Sequence, residues 1–277
     1  MSKKGREKRM TFVGLQNKQK DVYEPLIEHF KEETKGDWDK LWFEPRDYNR
    51  YLAGLMIPKV FPYYQACNKK VIYMGQDTYE WVDFDSVYND TVANYLKKNN
   101  DAFPKSLDDL AERWGNPYHF WDYVCKLQLA IHGSPSSLNS LSEADRDIIS
   151  GIGWGNLNPL EKDSTIWKYG EDFCKLFDWS IYYHLFERAK EISKVKYLIE
   201  AYHPDLIINL CWDFNENLFF DGVEYEYCSG NSLDGFIACY LLKDSNTQVI
   251  WSRHPNNLRF MSITPDEIIK QIVERIV

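Results

Sequence analysis

The sequence predicts an α/β protein, a three-layer α/β/α sandwich around a central four-stranded, mostly parallel sheet. Three observations carry that expectation. Four short runs, 71–74 (VIYM), 148–154 (IISGIGW), 205–212 (DLIINLCW) and 247–252 (TQVIWS), are apolar nearly throughout and rich in β-branched and aromatic residues. That is the pattern of strands buried on both faces. Helical patterns separate the runs, and alternating strands and helices build a mostly parallel sheet with right-handed crossovers. No Pro/Gly/Ser-rich linker, internal repeat or low-complexity tract divides the 277 residues, so one domain is expected over 1–277.

The elements follow in chain order. The start, MSKKGREKRM, clusters Lys3, Lys4, Arg6, Lys8 and Arg9 and reads as a solvated, disordered basic tail over about 1–12. No apolar stretch follows it, so it is not a secretory signal. Residues 17–34 have the pattern of an amphipathic helix. After the first strand comes an aromatic-rich helical insertion, about 78–147, with helices near 86–99 and 117–131. Asn116-Pro117 reads as a cap with proline at the first helical position. Residues 178–200 place Ile181, Leu185, Phe186, Ala189, Ile192 and Val195 at three- and four-residue spacings, which gives one apolar helix face. Residues 232–243 form another helix candidate. In Thr264-Pro265-Asp266-Glu267, Thr caps and Glu closes a capping box for a last helix over 265–276.

Composition narrows the function. Hydrophobic residues make up 44% and aromatic residues 16%, enough to fold a sizeable core. No run of 18 apolar residues predicts a membrane span. The net charge of −9 argues mildly against nonspecific nucleic-acid binding, although a local basic patch is what meets phosphates. Six cysteines lack any C-x-x-C spacing and the six histidines lack metal-ligand spacing. Reduced thiols in a cytoplasmic protein without metal or cofactor are expected. GIGWGN at 151–156 begins like a dinucleotide loop but carries Asn156 where the last glycine belongs. No phosphate-binding G-x-x-x-x-G-K, H-E-x-x-H or G-x-S-x-G is present.

In open α/β sheets ligands bind outside the carboxyl ends of the strands. Past the first run stand Gly75, Gln76, Asp77, Thr78 and Tyr79; past the second, Gly155, Asn156, Leu157 and Asn158. The third ends in Trp212, Asp213 and Phe214, and the fourth in Arg253, His254, Pro255, Asn256 and Asn257. Singly, each polar residue here reads as a cap, a turn residue or a satisfied structural histidine. Gathered at the ends of different strands, they read as a site.

The order strand–GQD–x–Y, strand–N, strand–HP resembles the uracil-DNA glycosylase superfamily. That family's first motif is G-Q-D-P-Y-H, which here is Gly75-Gln76-Asp77-Thr78-Tyr79-Glu80. Its late motif, H-P-S, here is His254-Pro255-Asn256, and Asn156 ends the middle strand. Thr78, Glu80 and Asn256 depart from the family pattern, and the four-cysteine set of its iron–sulfur branches is missing. The resemblance implies a divergent member that hydrolyses the N-glycosidic bond of a flipped-out uracil or modified pyrimidine, such as a hypermodified cytosine of phage DNA. Asp77 would stabilise the sugar cation and orient water, and His254 would stabilise the leaving base. Gln76, Tyr79 and Asn156, with Asn158 in reserve, would hold the base. Arg253, Asn256 and Arg259 are expected to meet DNA. Two other classes compete: a noncatalytic DNA- or protein-binding member of the fold, and an unrelated α/β enzyme sharing GQD by chance.

Overall fold

In a computed structural model the described residues are 3–43, 52–76, 85–102, 104, 106–162, 179–212, 214–228 and 236–277. Nine strands lie among them: β1 (Leu52–Leu55), β2 (Lys59–Val60), β3 (Val71–Gly75), β4 (Gly153–Asn156), β5 (Leu160–Lys162), β6 (Leu206–Leu210), β7 (Tyr225–Tyr227), β8 (Ile237–Leu242) and β9 (Gln248–Ser252). The helices are α1 (Lys3–Phe43), α2 (Asp85–Asn89), α3 (Val92–Asp101), α4 (Leu107–Ala111), α5 (Phe120–Ile131), α6 (Glu143–Ile149), α7 (Trp179–Ala189), α8 (Val195–Tyr202), α9 (Glu216–Phe219), α10 (Pro255–Phe260) and α11 (Pro265–Val273).

The fold is mixed α/β. Its main sheet has seven strands, in the order β2-β4-β3-β6-β9-β8-β7, where four were expected; β1 and β5 form a separate pair. The four expected strands are the parallel middle, β4-β3-β6-β9. β3 and β6 are buried along their whole length, which is why they stand out as unbroken apolar runs. The added strands are antiparallel: β2 on β4, β8 on β9 and β7 on β8.

Alternate residues of the middle strands feed two cores. Ile72, Met74, Ile207 and Val249 pack with Tyr23 and Ile27 of α1, with α3, and with Leu185 and Leu198 of α7 and α8. Val71, Tyr73, Ile208 and Ile250 pack on the other face with Trp121 and Val124 of α5 and Ile268 and Ile272 of α11. On α1 the buried residues Leu15, Gln19, Tyr23, Ile27, Phe30 and Thr34 recur every three or four positions, one stripe of a helix.

Several local expectations are corrected. The supposed helix at 232–243 contains β8. Its Ile237, Cys239, Tyr240 and Leu242 are buried, and it returns as a hairpin into β9 through a turn with Asn246 at φ 53°, a conformation asparagine tolerates. Backbone from Lys3 onward is helical, so the basic tail is the start of α1; lysine, arginine and glutamate are good helix formers. The 178–200 helix is two, α7 and α8, separated by a 3-10 turn at Lys190–Ser193. Asn116 caps no helix: its Oδ1 accepts from Tyr118 N at 3.2 Å, and His119 caps α5. β4 begins only at Gly153, because Ile148 and Ile149 finish α6. The last helix starts as expected, the Glu267 carboxylate accepting from the Thr264 N–H at 3.1 Å and hydroxyl at 2.6 Å.

Candidate functional site

The parallel strands run in the chain order second, first, third, fourth across the sheet. The connection leaving β3 goes to one side and the one leaving β6 goes to the other. The crevice between their carboxyl ends is therefore the topological switch point, where open α/β sheets take ligands. One side chain bridges it: Gln76, just past β3, accepts the Trp212 backbone N–H on its Oε1 at 2.6 Å. That bond fixes the amide orientation, with Nε2 as the remaining donor group.

On the other side of β3, strand pairing continues past the strand ends, with Leu157 N donating to Gly75 O at 2.8 Å and Asn158 N to Gln76 O at 3.0 Å. Gly75 lies in register with Asn156. A Cβ on Gly75 would stand 2.9 Å from Asn156 Oδ1 and 3.4 Å from Phe120 Cε2. Glycine at the head of the GQD motif thus leaves room for the buried Asn156 amide and the Phe120 ring. The glycines of GIGWGN have a similar packing reason. A Cβ on Gly155 would meet Met74 Sδ and Pro58 Cγ, each at 3.0 Å, so this is a tight strand and no dinucleotide loop.

His254 follows β9 and caps α10. Its Nδ1 accepts from Asn256 N at 3.2 Å, so the neutral ring carries its proton on Nε2. The ring lies between two aromatic neighbours, near-parallel to Phe120 (6.1 Å between centroids, 18°) and to Trp212 (6.5 Å, 14°). Burial first, and then the nearby His119, lower its pKa from 6.5 to about 4. His254 is therefore neutral at physiological pH and offers Nε2–H as a hydrogen-bond donor. His119 repeats the arrangement one helix away: its Nδ1 accepts from Trp121 N at 3.3 Å, and burial lowers its pKa too.

Three of the residues expected from the sequence, Gln76, Asn156 and His254, are gathered at this edge, linked through Gly75, Phe120 and Trp212. Asn158 lies one step away and, with Gln76, lines an open cleft of about 620 Å³. Asp77, Tyr79 and Asp213 fall outside the described residues. Arg253 serves the scaffold: Nη1 donates to Trp212 O at 2.8 Å, and the guanidinium stacks 5.3 Å from the Trp251 ring. Asn256 and Arg259 are exposed on α10 beside Phe260, which is 71% exposed, and Trp212, which is 40% exposed. The two rings are 6.5 Å apart.

Phe120 and Trp212 were not singled out as site residues from the sequence. Trp212 stands at a strand end, where the signal was available. Phe120 enters from the first turn of α5, far from any strand end, and no local pattern marks it among the chain's many aromatic residues. Buried beneath this edge, on β6, Asn209 has neither its Oδ1 nor its Nδ2 hydrogen-bonded. Among the described residues no group of three or more His, Cys, Asp or Glu is placed to hold a metal ion, and no helix is long and apolar enough to cross a membrane. No family model, curated protein or solved structure matches the chain.

Proposed function

We propose that this chain is a DNA glycosylase that hydrolyses the N-glycosidic bond of a flipped-out uracil or modified pyrimidine and leaves an abasic site. The observation that carries the reading is the grouping of a neutral histidine donor and two amides at the carboxyl ends of three different strands, around a glycine that makes room for them. Its likeness to the uracil-DNA glycosylase superfamily rests on the motifs at these same strand ends.

Breaking the bond puts positive charge on the deoxyribose and negative charge on the departing base. The Nε2–H of His254 suits the second need: a fixed donor at a developing oxyanion acts most strongly where water is excluded. Because the ring is neutral before reaction, it donates a hydrogen bond without surrendering a proton. Asn156 carries one donor group and one acceptor, enough to read the edge of a pyrimidine. Gln76 adds an Nε2 donor from the opposite strand. The Phe120 face offers a stacking surface worth about 1–3 kcal/mol per base, which offsets part of the cost of flipping. Asp77, the next residue after Gln76, is assigned the sugar cation and the attacking water on the resemblance alone.

Asn256, Arg259 and the exposed rings of Trp212 and Phe260 form the DNA-facing rim, where apolar side chains can wedge between bases. The remainder of the proposal is a three-layer α/β/α sandwich forming one domain, cytoplasmic, acting without metal or cofactor. The test is release of base from DNA containing uracil or modified cytosines, read as alkali-labile breaks, with the Asp77→Ala and His254→Ala variants as controls. Breaks that vanish in both variants support the reading. Tight DNA binding without breaks on any such DNA replaces it with a noncatalytic binding protein, an outcome that Thr78 and Glu80 in the first motif would then explain.

A further inference from the structure

The main sheet brings together two cysteines that no sequence spacing connects. β7 and β8 are antiparallel, with Tyr227 opposite Tyr240, so the next residue, Cys228, faces Cys239. The Cys228 N–H donates to Cys239 O at 2.8 Å. On the other face of the hairpin the Tyr227 and Tyr240 rings meet, 5.6 Å between centroids. That contact holds the register, because a slip of one residue would turn every side chain over. Residues directly opposite one another share a face. Cys239 belongs to the core that includes Ile268 and Ile272 of α11, and Cys228 packs against the same core. There the two thiols interact with each other.

Residues paired through a backbone bond of this kind have Cα atoms about 5.5 Å apart, inside the disulfide range of about 4.4–6.8 Å. Facing Cβ atoms stand about 4.5–5.5 Å apart, so they must close by up to about 1 Å to reach disulfide spacing. A bond made that way carries strain and is easily reduced. The two thiols are unequal. Cys228 is half-buried and Cys239 buried, so an oxidant arriving from solution meets Cys228 first. Cys239 is held in place, its Sγ accepting from Gln248 Nε2 at 3.0 Å. Such a bond strengthens when the sulfur becomes a thiolate. Burial raises the Cys239 pKa, and the Gln248 donor and the Arg275 charge oppose that rise. β7 is a three-residue edge strand, and a bond from Cys228 to Cys239 pins its end to the sheet.

We propose that Cys228 and Cys239 are a peroxide-reactive thiol pair that closes to a reversible disulfide across the β7–β8 hairpin. The Cys228 thiolate attacks one oxygen of hydrogen peroxide. The O–O bond breaks, hydroxide leaves and takes up a proton as water, and Cys228 becomes a sulfenic acid. The Cys239 thiolate then attacks that sulfur; the S–S bond forms, the S–O bond breaks and a second water leaves. Two electrons pass from the sulfurs to the peroxide. The test treats the reduced full-length chain with one equivalent of hydrogen peroxide, alkylates the remaining thiols and maps the peptides by mass spectrometry without reductant. The peptides of Cys228 and Cys239 should appear linked, and dithiothreitol should return both thiols. Cys239→Ala should leave Cys228 as a sulfenic acid that dimedone traps. Cys228→Ser, a change at the more accessible thiol, should slow oxidation of Cys239 about tenfold. Three results overturn the proposal: both thiols alkylated after peroxide, a link from either one to another cysteine or to a second copy of the chain, or Cys228 carried on to the sulfinic acid with Cys239 still free.

Discussion

At the amino edge of the parallel strands, the His132 ring sits between two backbone carbonyls, Nδ1 2.9 Å from Gln128 O and Nε2 3.1 Å from Lys69 O, and its N–H is taken up by one of them. At the carboxyl edge, His254 has Nδ1 on a backbone N–H, and among the described residues no hydrogen bond uses its Nε2–H. The contrast extends to their neighbours. Asp205 accepts from Lys70 N at 2.7 Å, Thr247 Oγ1 donates to Pro204 O at 2.8 Å, and Gln248 Nε2 to Arg275 O at 2.6 Å. Polar residues at the amino edge tie the strands to one another. At the carboxyl edge, Gln76 spends one atom on the crevice and retains its amide donor, and Trp212 and Phe260 stand in solvent. Similar residue types thus do structural work at one edge and leave unused hydrogen-bonding capacity at the other.

The largest effect expected from this contrast is on His254. His254→Ala should lower base release about 10²–10³-fold, the cost of removing one donor from a developing oxyanion, a larger effect than the loss of about 0.5–2 kcal/mol in stability that goes with the α10 cap it supplies. His132→Ala should do the reverse: a loss of about 1 kcal/mol in stability, because a part-buried carbonyl loses its partner, and no change in the base release measured for the folded protein. Equal behaviour of the two variants in both assays would erase the distinction between the edges.

The pH dependence of stability is the next test. His254 titrates at about 4 when folded and near 6.5 when unfolded. Its folded-state pKa is lowered, so the unfolded chain binds more protons between these values, and stability falls as pH drops from about 6.5 to about 4. His119, also lowered, adds in the same direction. The share from His254 is on the order of 2 kcal/mol after allowing for its partial exposure. Denaturant midpoints compared across that window should show the wild type losing stability relative to His254→Phe as pH falls from about 6.5 to about 4. In the wild type, the histidine NMR signal should stay neutral at pH 6.

Gly75→Ala probes the space between the two strands. The added Cβ falls 2.9 Å from Asn156 Oδ1, and overpacking of this kind costs about 1–3 kcal/mol. Base release should fall more than stability does, because the displaced group is the one assigned to reading the base. Urea unfolding and single-turnover release, measured on the same preparation, check the order of the two losses.

Much of the carboxyl edge was legible because strands buried on both faces leave unbroken apolar runs, and their ends are then easy to find. Gln76, Asn156 and His254 could be picked out for that reason. The antiparallel flanks were not legible. β2 and β7 are two and three residues long, too short to show a period. β8 is an apolar run whose spacing fits a helix equally well until the β9 hairpin fixes it. Phe120 was hidden for a different reason: its place against Gly75 and His254 comes from the docking of α5, a contact between segments distant in sequence.

Asn209 gives the smallest effect and the sharpest test of how far the carboxyl edge departs from the amino edge. It is fully buried on β6, opposite Met74 of β3 and Trp251 of β9, with both amide atoms unpartnered. A buried polar group without a partner costs about 1–3 kcal/mol in desolvation. Leucine has the same branched heavy-atom skeleton as asparagine, lacks that cost and suits a strand whose other residues are Leu206, Ile207, Ile208 and Leu210. Asn209→Leu should therefore raise stability by about 1 kcal/mol, or roughly 2–4 °C in the thermal midpoint for a chain of this size. A stabilised variant with reduced base release would mean that the strain at Asn209 is kept because the site above it uses the amide. Destabilisation would mean that the amide holds an ordered water, since such waters are part of the structure and costly to remove; the carboxyl edge would then be as well satisfied at this position as the amino edge is at Thr247.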